Sequence, residues 1–190
     1  QKKYESIVSE WKKQSAVREL MIFLKKYDVK TGIILKIYKR YKDESISVIK
    51  DNPYILADEI EGVGFKTADN IAINMGFDLE SPKRISCGLK YILNRLSDDG
   101  DMFSEKGDLI YDAAQLLELD RGTISDCIGE MVSDGRLIAF EDNIYLPYLY
   151  YAEKRVSDKI LKMNNLASFQ ACTPPSIEEL EKKTGYVYEK

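Results

Sequence analysis

The residues best suited to chemistry in this sequence are glycines, a lysine and a threonine grouped within six positions. The stretch EIEGVGFKTADNIA lies between two segments with helical spacing of apolar residues and contains Gly62, Gly64, Lys66 and Thr67. Glycine permits positive φ and a close approach of a partner to the backbone. Free N–H groups at the start of the second helix, together with the helix dipole, favour an anion. The stretch therefore predicts a turn that binds phosphate.

Other glycine-rich phosphate motifs do not fit this spacing. A P-loop needs contiguous Gly-Lys-Ser/Thr after a strand, whereas Phe65 separates Gly64 from Lys66 and a helix precedes them. A Rossmann turn needs a third glycine where Thr67 stands. The helix-hairpin-helix pattern fits, with apolar-x-Gly-apolar-Gly followed by Lys, Thr and Ala. A plain αα-hairpin with a glycine-rich corner is the alternative without a ligand.

Composition excludes several kinds of catalysis. Histidine is absent from the 190 residues, which removes Ser-His-Asp and Cys-His catalysis and imidazole metal ligands. The cysteines Cys87, Cys127 and Cys172 are too far apart for a zinc site or a disulfide framework. No apolar run approaches the roughly 18 residues of a membrane span. We predict no catalytic site, no metal site and no membrane partner, in a reduced, cytoplasmic protein.

Charge is distributed unevenly along the chain. The first 50 residues carry 13 Lys and Arg against 6 Asp and Glu, although the net charge of the whole chain is −4. A basic segment on an acidic body suggests a polyanion partner at one end, and an ordinary solvated helix surface is the alternative.

A second hairpin is predicted upstream, in KKYDVKTGIILKIYKRY. Apolar spacing indicates helices over 16–27 and 31–42, joined by a short turn at Asp28–Lys30. Asp28 stands where the pattern usually has glycine, and its carboxylate would repel phosphate. Downstream, Asn52 and Gly76 predict the start and the end of the glycine hairpin. The candidate DNA-binding residues of both hairpins are Gly62, Val63, Gly64, Phe65, Lys66, Thr67, Lys30, Thr31, Lys36, Lys39 and Arg40.

Residues 81–147 have the order of a winged-helix-like region. A helix after Ser81 and Pro82 is followed by a short extended segment near DMF, two more helices, and a β-hairpin around 141–143. The helix before the wing holds Arg121, but also Asp126, Glu130 and Asp134. An acidic helix would repel a duplex, so we expect it to pack on protein.

The predicted fold class is mainly α, with tandem helix-hairpin-helix units followed by the winged-helix-like region. Abrupt sequence at both ends, with a helix around Trp11 and a Pro174-Pro175 linker, predicts a longer chain. The predicted divisions are 1–15, the trailing helix of a truncated upstream unit; 16–80, the tandem hairpins; 81–147, the winged-helix-like region; and 148–190, a helix, a linker and the start of a missing ATPase domain.

Three stretches resemble the N-terminal region of RecD-like DNA helicases, often described as the alpha subunit of exodeoxyribonuclease V. They are KIYKRYKDESISVIKDNPYILADEIEGVGFKTADNIAINMGF, SPKRISCGLKYIL and DNIYLPYLYYAEKRVSDKI, and NPYILADEIEGVGFKTAD is the most specific part. The resemblance implies that two RecA-like ATPase domains follow and move 5′→3′ on single-stranded DNA. ATP and magnesium would belong to those domains, so no cofactor is expected in this chain.

Two classes of function stay open. In the first, the chain is a DNA-backbone-binding accessory region that contacts single-stranded or forked DNA without sequence preference. In the second, it is a structural module that packs on its own ATPase domains or on a partner, with little affinity for DNA. A helix-hairpin-helix DNA glycosylase is a more distant third, because that class needs a larger surrounding helical domain.

We predict that the purified chain neither hydrolyses ATP nor unwinds DNA, because the sequence contains no Gly-Lys-Ser/Thr phosphate loop. A phosphate-release assay with single-stranded DNA present provides the measurement. Steady hydrolysis that co-purifies with the chain through successive columns would contradict this expectation.

Overall fold

The computed structural model of the chain describes the backbone of residues 2–165, 182–183 and 185, with side chains at 11, 14–164, 182–183 and 185. Residues 1–150 form one compact unit and residues 151–190 a second. None of the described helices is long and apolar enough to cross a membrane. The elements are α1 (Lys2–Lys25), α2 (Thr31–Tyr41), a 3₁₀ turn (Lys42–Glu44), α3 (Ser45–Asp51), α4 (Ile55–Glu59), α5 (Phe65–Asn74), α6 (Pro82–Asp98), β1 (Ser104–Glu105), α7 (Lys106–Leu117), α8 (Arg121–Ser133), β2 (Ile138–Phe140), β3 (Asn143–Tyr145) and α9 (Pro147–Asn165).

The N-terminal segment forms one helix where the sequence predicts two. Helix α1 runs without interruption across the boundary predicted between residues 15 and 16. No glycine or proline lies between the two predicted helices, so nothing local stops the first one. The predicted division at 147/148 lies close to the observed one at 150/151. The Pro174-Pro175 linker and most of the segment after it lie outside the described residues.

The predicted hairpin helices occupy the expected parts of the chain. Helix α2 begins at Thr31, and the Oδ1 atom of Asn52 accepts the N–H of Tyr54 at 3.2 Å, as an N-cap side chain does. Regular helix α4 begins only at Ile55, after tight turns. Gly76, with φ +80°, follows α5, and the N–H of Phe77 returns to the carbonyl of Ala72. This is the Schellman bonding that commonly ends a helix.

The second half contains helices and a small antiparallel sheet in the predicted order. The strand order is β1-β3-β2, and Ile144 of β3 pairs with Ser104 on one side and Ala139 on the other. Strand β1 begins after the DMF stretch that was expected to be extended. Phe140 pairs with Asn143, which leaves a two-residue loop between β2 and β3.

One apolar cluster runs through the helices of the compact unit. Every helix from α1 to α8 contributes at least one buried apolar side chain to it, with Leu89 of α6 completely buried. Gly88 lets α6 and α7 approach closely, because a Cβ atom there would lie 2.9 Å from a methyl carbon of Leu117. The two halves of the compact unit therefore share a core that is centred on α6.

A buried ion pair links the hairpin helices to α6. The Arg84 Nε and Nη2 atoms donate to the two carboxylate oxygens of Asp69 at 2.8 and 3.1 Å. Nη1 of Arg84 donates to the carbonyls of Leu79 and Leu117, each at 3.0 Å. The Tyr54 hydroxyl donates to Asp69 at 2.9 Å, and burial raises the pKa of this phenol, which keeps it neutral. Its members are far apart in the sequence, so no local spacing predicts this network.

We predict that Arg84→Met lowers the free energy of unfolding by about 3–5 kcal/mol, because it leaves the Asp69 carboxylate buried without its cation. Urea unfolding followed by circular dichroism measures the loss. Arg136→Met is the matched control, since Arg136 pairs with Asp134 at the surface and the change should cost no more than about 1 kcal/mol. The double variant Asp69→Leu, Arg84→Met should be more stable than Arg84→Met. Equal losses in Arg84→Met and Arg136→Met would contradict the role of the buried pair.

Candidate nucleic-acid interface

The glycine hairpin, which we call hairpin 2, comprises α4, the turn Ile60–Gly64 and α5. The N–H of Val63 donates to the carbonyl of Ile60 at 3.0 Å, and Gly62 has φ +92°. A four-residue turn with positive φ at its third position is of type II, where glycine is strongly favoured. The predicted need for positive φ is therefore confirmed at Gly62.

Gly64 plays a different part from the one expected. Its φ of −96° and ψ of 175° are extended, so it needs no left-handed conformation. It is the N-cap of α5, and its carbonyl accepts the N–H groups of Thr67 and Ala68. A Cβ atom at Gly64 would meet nothing within 4 Å. The backbone at this position is thus open to a partner.

The start of α5 presents an anion-binding arrangement. The amides of Phe65 and Lys66 lie in the first turn, where N–H groups have no intrahelical acceptor. No acidic side chain lies in this turn, and Lys66 is exposed. The positive end of the helix dipole and the Lys66 ammonium would both favour a phosphate.

Two residues predicted to contact DNA are core residues. Val63 and Phe65 are buried. The Phe65 ring lies between Tyr54 and Tyr91, with ring centroids 6.5 and 5.8 Å away. Their side chains therefore anchor the turn from below, and only their backbone atoms can face a ligand. The alternation of apolar and glycine residues forces this, because the apolar side chains must enter the core.

The upstream hairpin, hairpin 1, comprises α1, the turn Tyr27–Lys30 and α2, and three successive positions of its turn resemble positions in hairpin 2. Asp28 has φ +59°, Val29 is buried and Lys30 is an extended N-cap with φ −63° and ψ 140°. The carbonyl of Lys30 accepts the N–H groups of Ile33 and Ile34. The positions of Asp28, Val29 and Lys30 thus correspond to those of Gly62, Val63 and Gly64.

The departure from glycine at Asp28 has a structural explanation. The N–H of Asp28 donates to the carbonyl of Lys25, and that of Val29 donates to Leu24, which is the Schellman pattern. This ending requires a left-handed residue, and aspartate tolerates that conformation better than most side chains. Thr31 and Lys30 are exposed at the start of α2, and Asp28 places a carboxylate at the position that Gly62 has in hairpin 2.

Two cations on the basic face of α2 pair with hairpin 2 while remaining exposed to solvent. The Lys36 Nζ atom donates to the Glu61 carbonyl at 2.8 Å and lies 3.4 Å from the Glu61 carboxylate. Arg40 Nε donates to Glu59 at 2.7 Å. Both cations pair within the chain but remain about half exposed, so their contact with DNA stays a prediction. Lys39 is exposed, and its contact with DNA stays a prediction.

A tyrosine completes the contact between α2 and α4. The Tyr41 hydroxyl donates to Glu59 at 3.1 Å. Partial burial and this hydrogen bond raise the pKa of Tyr41 to about 12, so the phenol is a neutral donor. Hydrogen bonds from Arg40 and Tyr41 lower the pKa of Glu59. Helix α2 thus holds α4 and the turn of hairpin 2 in place.

The helix before the β-hairpin presents acid to solvent. Asp126 and Glu130 lie one helical turn apart on α8, and both are exposed. The guanidinium of Arg121 lies 5.4 Å from the centroid of the Tyr111 ring. The Asp120 carboxylate caps the helix by accepting the N–H of Thr123. The expectation that α8 does not read DNA stays a prediction.

This chain is similar to known DNA helicases. Residues 13–103 match the family described as the ATP-dependent RecD2 DNA helicase HHH domain, and the match extends from within α1 to beyond the end of α6. The chain is also similar to the ATP-dependent RecD2 DNA helicase of Deinococcus radiodurans, with 25% identity over 168 residues. That match covers 81% of this chain and 23% of the helicase. The predicted resemblance to the N-terminal region of RecD-like helicases is confirmed, and the chain spans less than a quarter of that relative's length.

We predict that Gly62→Ala destabilises the protein by about 1–2 kcal/mol, since a Cβ atom penalises its positive φ. Gly64→Ala should change stability by less than about 0.5 kcal/mol, because its backbone is extended and the space around it is open. Urea unfolding of the two variants provides a matched comparison. Equal losses would show that the turn conformation does not decide which glycine is required.

Proposed function

We propose that this chain is a DNA-backbone-binding accessory region of an ATP-dependent 5′→3′ DNA helicase of the RecD-like type. The match of residues 13–103 to a helicase HHH domain supports the helicase context. ATP and magnesium would be used by the motor domains of the whole protein. The DNA substrate would be single-stranded or forked, and it would be bound without sequence preference.

The observation that carries the proposal is the start of α5. An open Gly64 backbone, first-turn amides and an exposed Lys66 stand together above a turn that is anchored in the core. Backbone amides can hold a phosphate, but they do not reach base edges in either groove. This arrangement supports binding that depends on the DNA backbone alone.

We further propose that the two hairpins form a tandem unit. Their turns share the positive-φ residue, the buried valine and the extended N-cap described above. Asp28 places a negative charge in hairpin 1 where hairpin 2 has Gly62, so hairpin 2 would supply most of the affinity. We also propose that the region from α6 to β3 is winged-helix-like, and the order of its helices and of its three strands supports this. The exposed acidic side chains on α8 favour packing of that region on protein rather than binding to DNA.

The second candidate function is a structural or protein-interaction module with little DNA affinity. Two observations favour it. Lys36 and Arg40 form ion pairs with acidic residues of this chain. Within the unit that starts at residue 151, Val156, Ile160 and Met163 on α9 are exposed apolar side chains. A partner that covers such a surface would give the chain a function independent of DNA.

We predict that Lys66→Ala together with Thr67→Ala weakens DNA binding, with a loss of about 1 kcal/mol or less for the lysine. Fluorescence anisotropy with labelled single-stranded, duplex and forked DNA over a range of salt concentrations measures the affinity. Few phosphates are neutralised, so log K against log salt should have a slope on the order of −2 to −4. Lys106→Ala, an exposed lysine on α7, is the control and should change little.

The same titration separates the two candidate functions. Unchanged affinity in a folded Lys66→Ala, Thr67→Ala variant would contradict the phosphate-binding role of hairpin 2. An absence of measurable binding to any of the three DNA forms would leave the structural module as the better account.

A further inference from the structure

We propose that a groove along α6 binds the phosphates of a single DNA strand that continues from hairpin 2 towards Arg136. This inference rests on the proposed function, because hairpin 2 supplies the start of the path. It adds a second contact site, formed by α6 and Arg136, to the one at the start of α5. We call this surface the α6 groove, and it is formed by two adjoining cavities.

The two cavities adjoin each other and share lining residues. The first has a volume of about 90 Å³ and is lined by Gly64 and Phe65 of hairpin 2. The second has a volume of about 210 Å³ and is lined by Lys83 and Arg136. Both cavities are also lined by Asp58, Cys87 and Lys90. A strand that leaves the open backbone at Gly64 therefore meets Lys90 next, and then Lys83 and Arg136.

Helical periodicity places the polar residues of α6 in one row. Lys83, Ser86, Lys90 and Asn94 follow one another at spacings of three or four residues, which puts them on one face of a helix. At a rise of 1.5 Å per residue, the row is about 16 Å long. At 3.4 Å per nucleotide of one strand, that length holds no more than about five nucleotides. Cavities of about 90 and 210 Å³ are too small for a double helix, so the proposed occupant is one sugar–phosphate backbone that lies along the row of cations.

The cations of the groove are held in place by exposed carboxylates. Lys90 pairs with Asp58 at 3.1 Å, Lys83 with Asp51 at 3.4 Å, and Arg136 with Asp134 at 2.7 Å. Of these carboxylates, only Asp58 lines the groove. Ion pairs as exposed as these contribute little stability, so a phosphate can share or replace a carboxylate at low cost.

Arg136 is the most firmly positioned of the three cations. Its Nη1 atom donates to the Ser86 hydroxyl at 3.0 Å, and its backbone N–H donates to Asp134. The guanidinium therefore lies against α6 with further N–H donors to offer, and such donors suit phosphate oxygens. Cys87 adds no charge to the groove, because burial raises the pKa of its thiol to about 12.

The α6 groove predicts a preference for single-stranded over duplex DNA, which hairpin 2 alone does not predict. Lys90→Gln and the double variant Lys83→Gln, Arg136→Gln should weaken binding to an oligothymidylate of about 12 nucleotides, a length within the usual site range. The expected loss is about two- to fivefold for each cation removed. Binding to a blunt duplex of the same length should not change, because the duplex cannot enter the groove. Asp58→Asn should strengthen single-strand binding.

Matched variants separate the groove from hairpin 2. Lys66→Ala with Thr67→Ala should weaken both DNA forms, whereas the groove variants should affect only the single strand. Lys106→Gln serves as the lysine control outside the groove. Loss of single-strand affinity in the groove variants would support the groove even if the hairpin 2 variant were unchanged.

Three results would overturn the α6 groove. The first is single-strand affinity in the groove variants equal to that of Lys106→Gln. The second is an equal loss on duplex, which would indicate general surface charge. The third is thymidine monophosphate binding as tightly as the oligonucleotide, which would make the cavity a mononucleotide pocket.

Discussion

The buried pair between Arg84 and Asp69 is the interaction on which the rest of the structure depends. A carboxylate and a guanidinium with little exposure to solvent must recover a desolvation penalty, which they do only with complete hydrogen bonding. Arg84 meets this condition through both carboxylate oxygens and the carbonyls of Leu79 and Leu117. Within the described residues, no buried side-chain polar atom lacks a partner. One side chain thereby joins α5, the loop before α6 and the end of α7.

The second constraint is that α2 supports hairpin 2 through its charged side chains. Lys36 holds the Glu61 carbonyl, and Arg40 with Tyr41 holds Glu59 at the end of α4. The turn of hairpin 2 is thus fixed by α2 on one side and by Val63 and the buried core below. Because the turn is preformed, it would lose little conformational entropy when its amides bind a phosphate. Side chains therefore hold the turn of hairpin 2 in place, and its backbone faces outward.

Local sequence was a good guide where the structure is decided locally. The helices of both hairpins, the glycine in left-handed conformation at Gly62, the Schellman ending at Gly76 and the two-residue loop between β2 and β3 all depend on nearby residues. The wrong helix boundary predicted between residues 15 and 16 also comes from the use of local sequence alone. A gap in the apolar periodicity near residue 15 does not end the helix. A helix ends only where a residue or cap stops it, and none occurs before Lys25.

The sequence by itself determined the helix-hairpin-helix pattern, the resemblance to RecD-like helicases and the position of the glycine turn. Only the tertiary structure decided what each charge does. Lys36, Arg40 and Lys66 are alike in sequence, yet the first two meet carboxylates more than 15 residues away and the third faces solvent. The pairing of Asp69 with Arg84 and the meeting of Lys83 with Arg136 in one groove likewise join distant residues. Charge partners depend on how helices pack against one another, and no local rule of spacing contains that information.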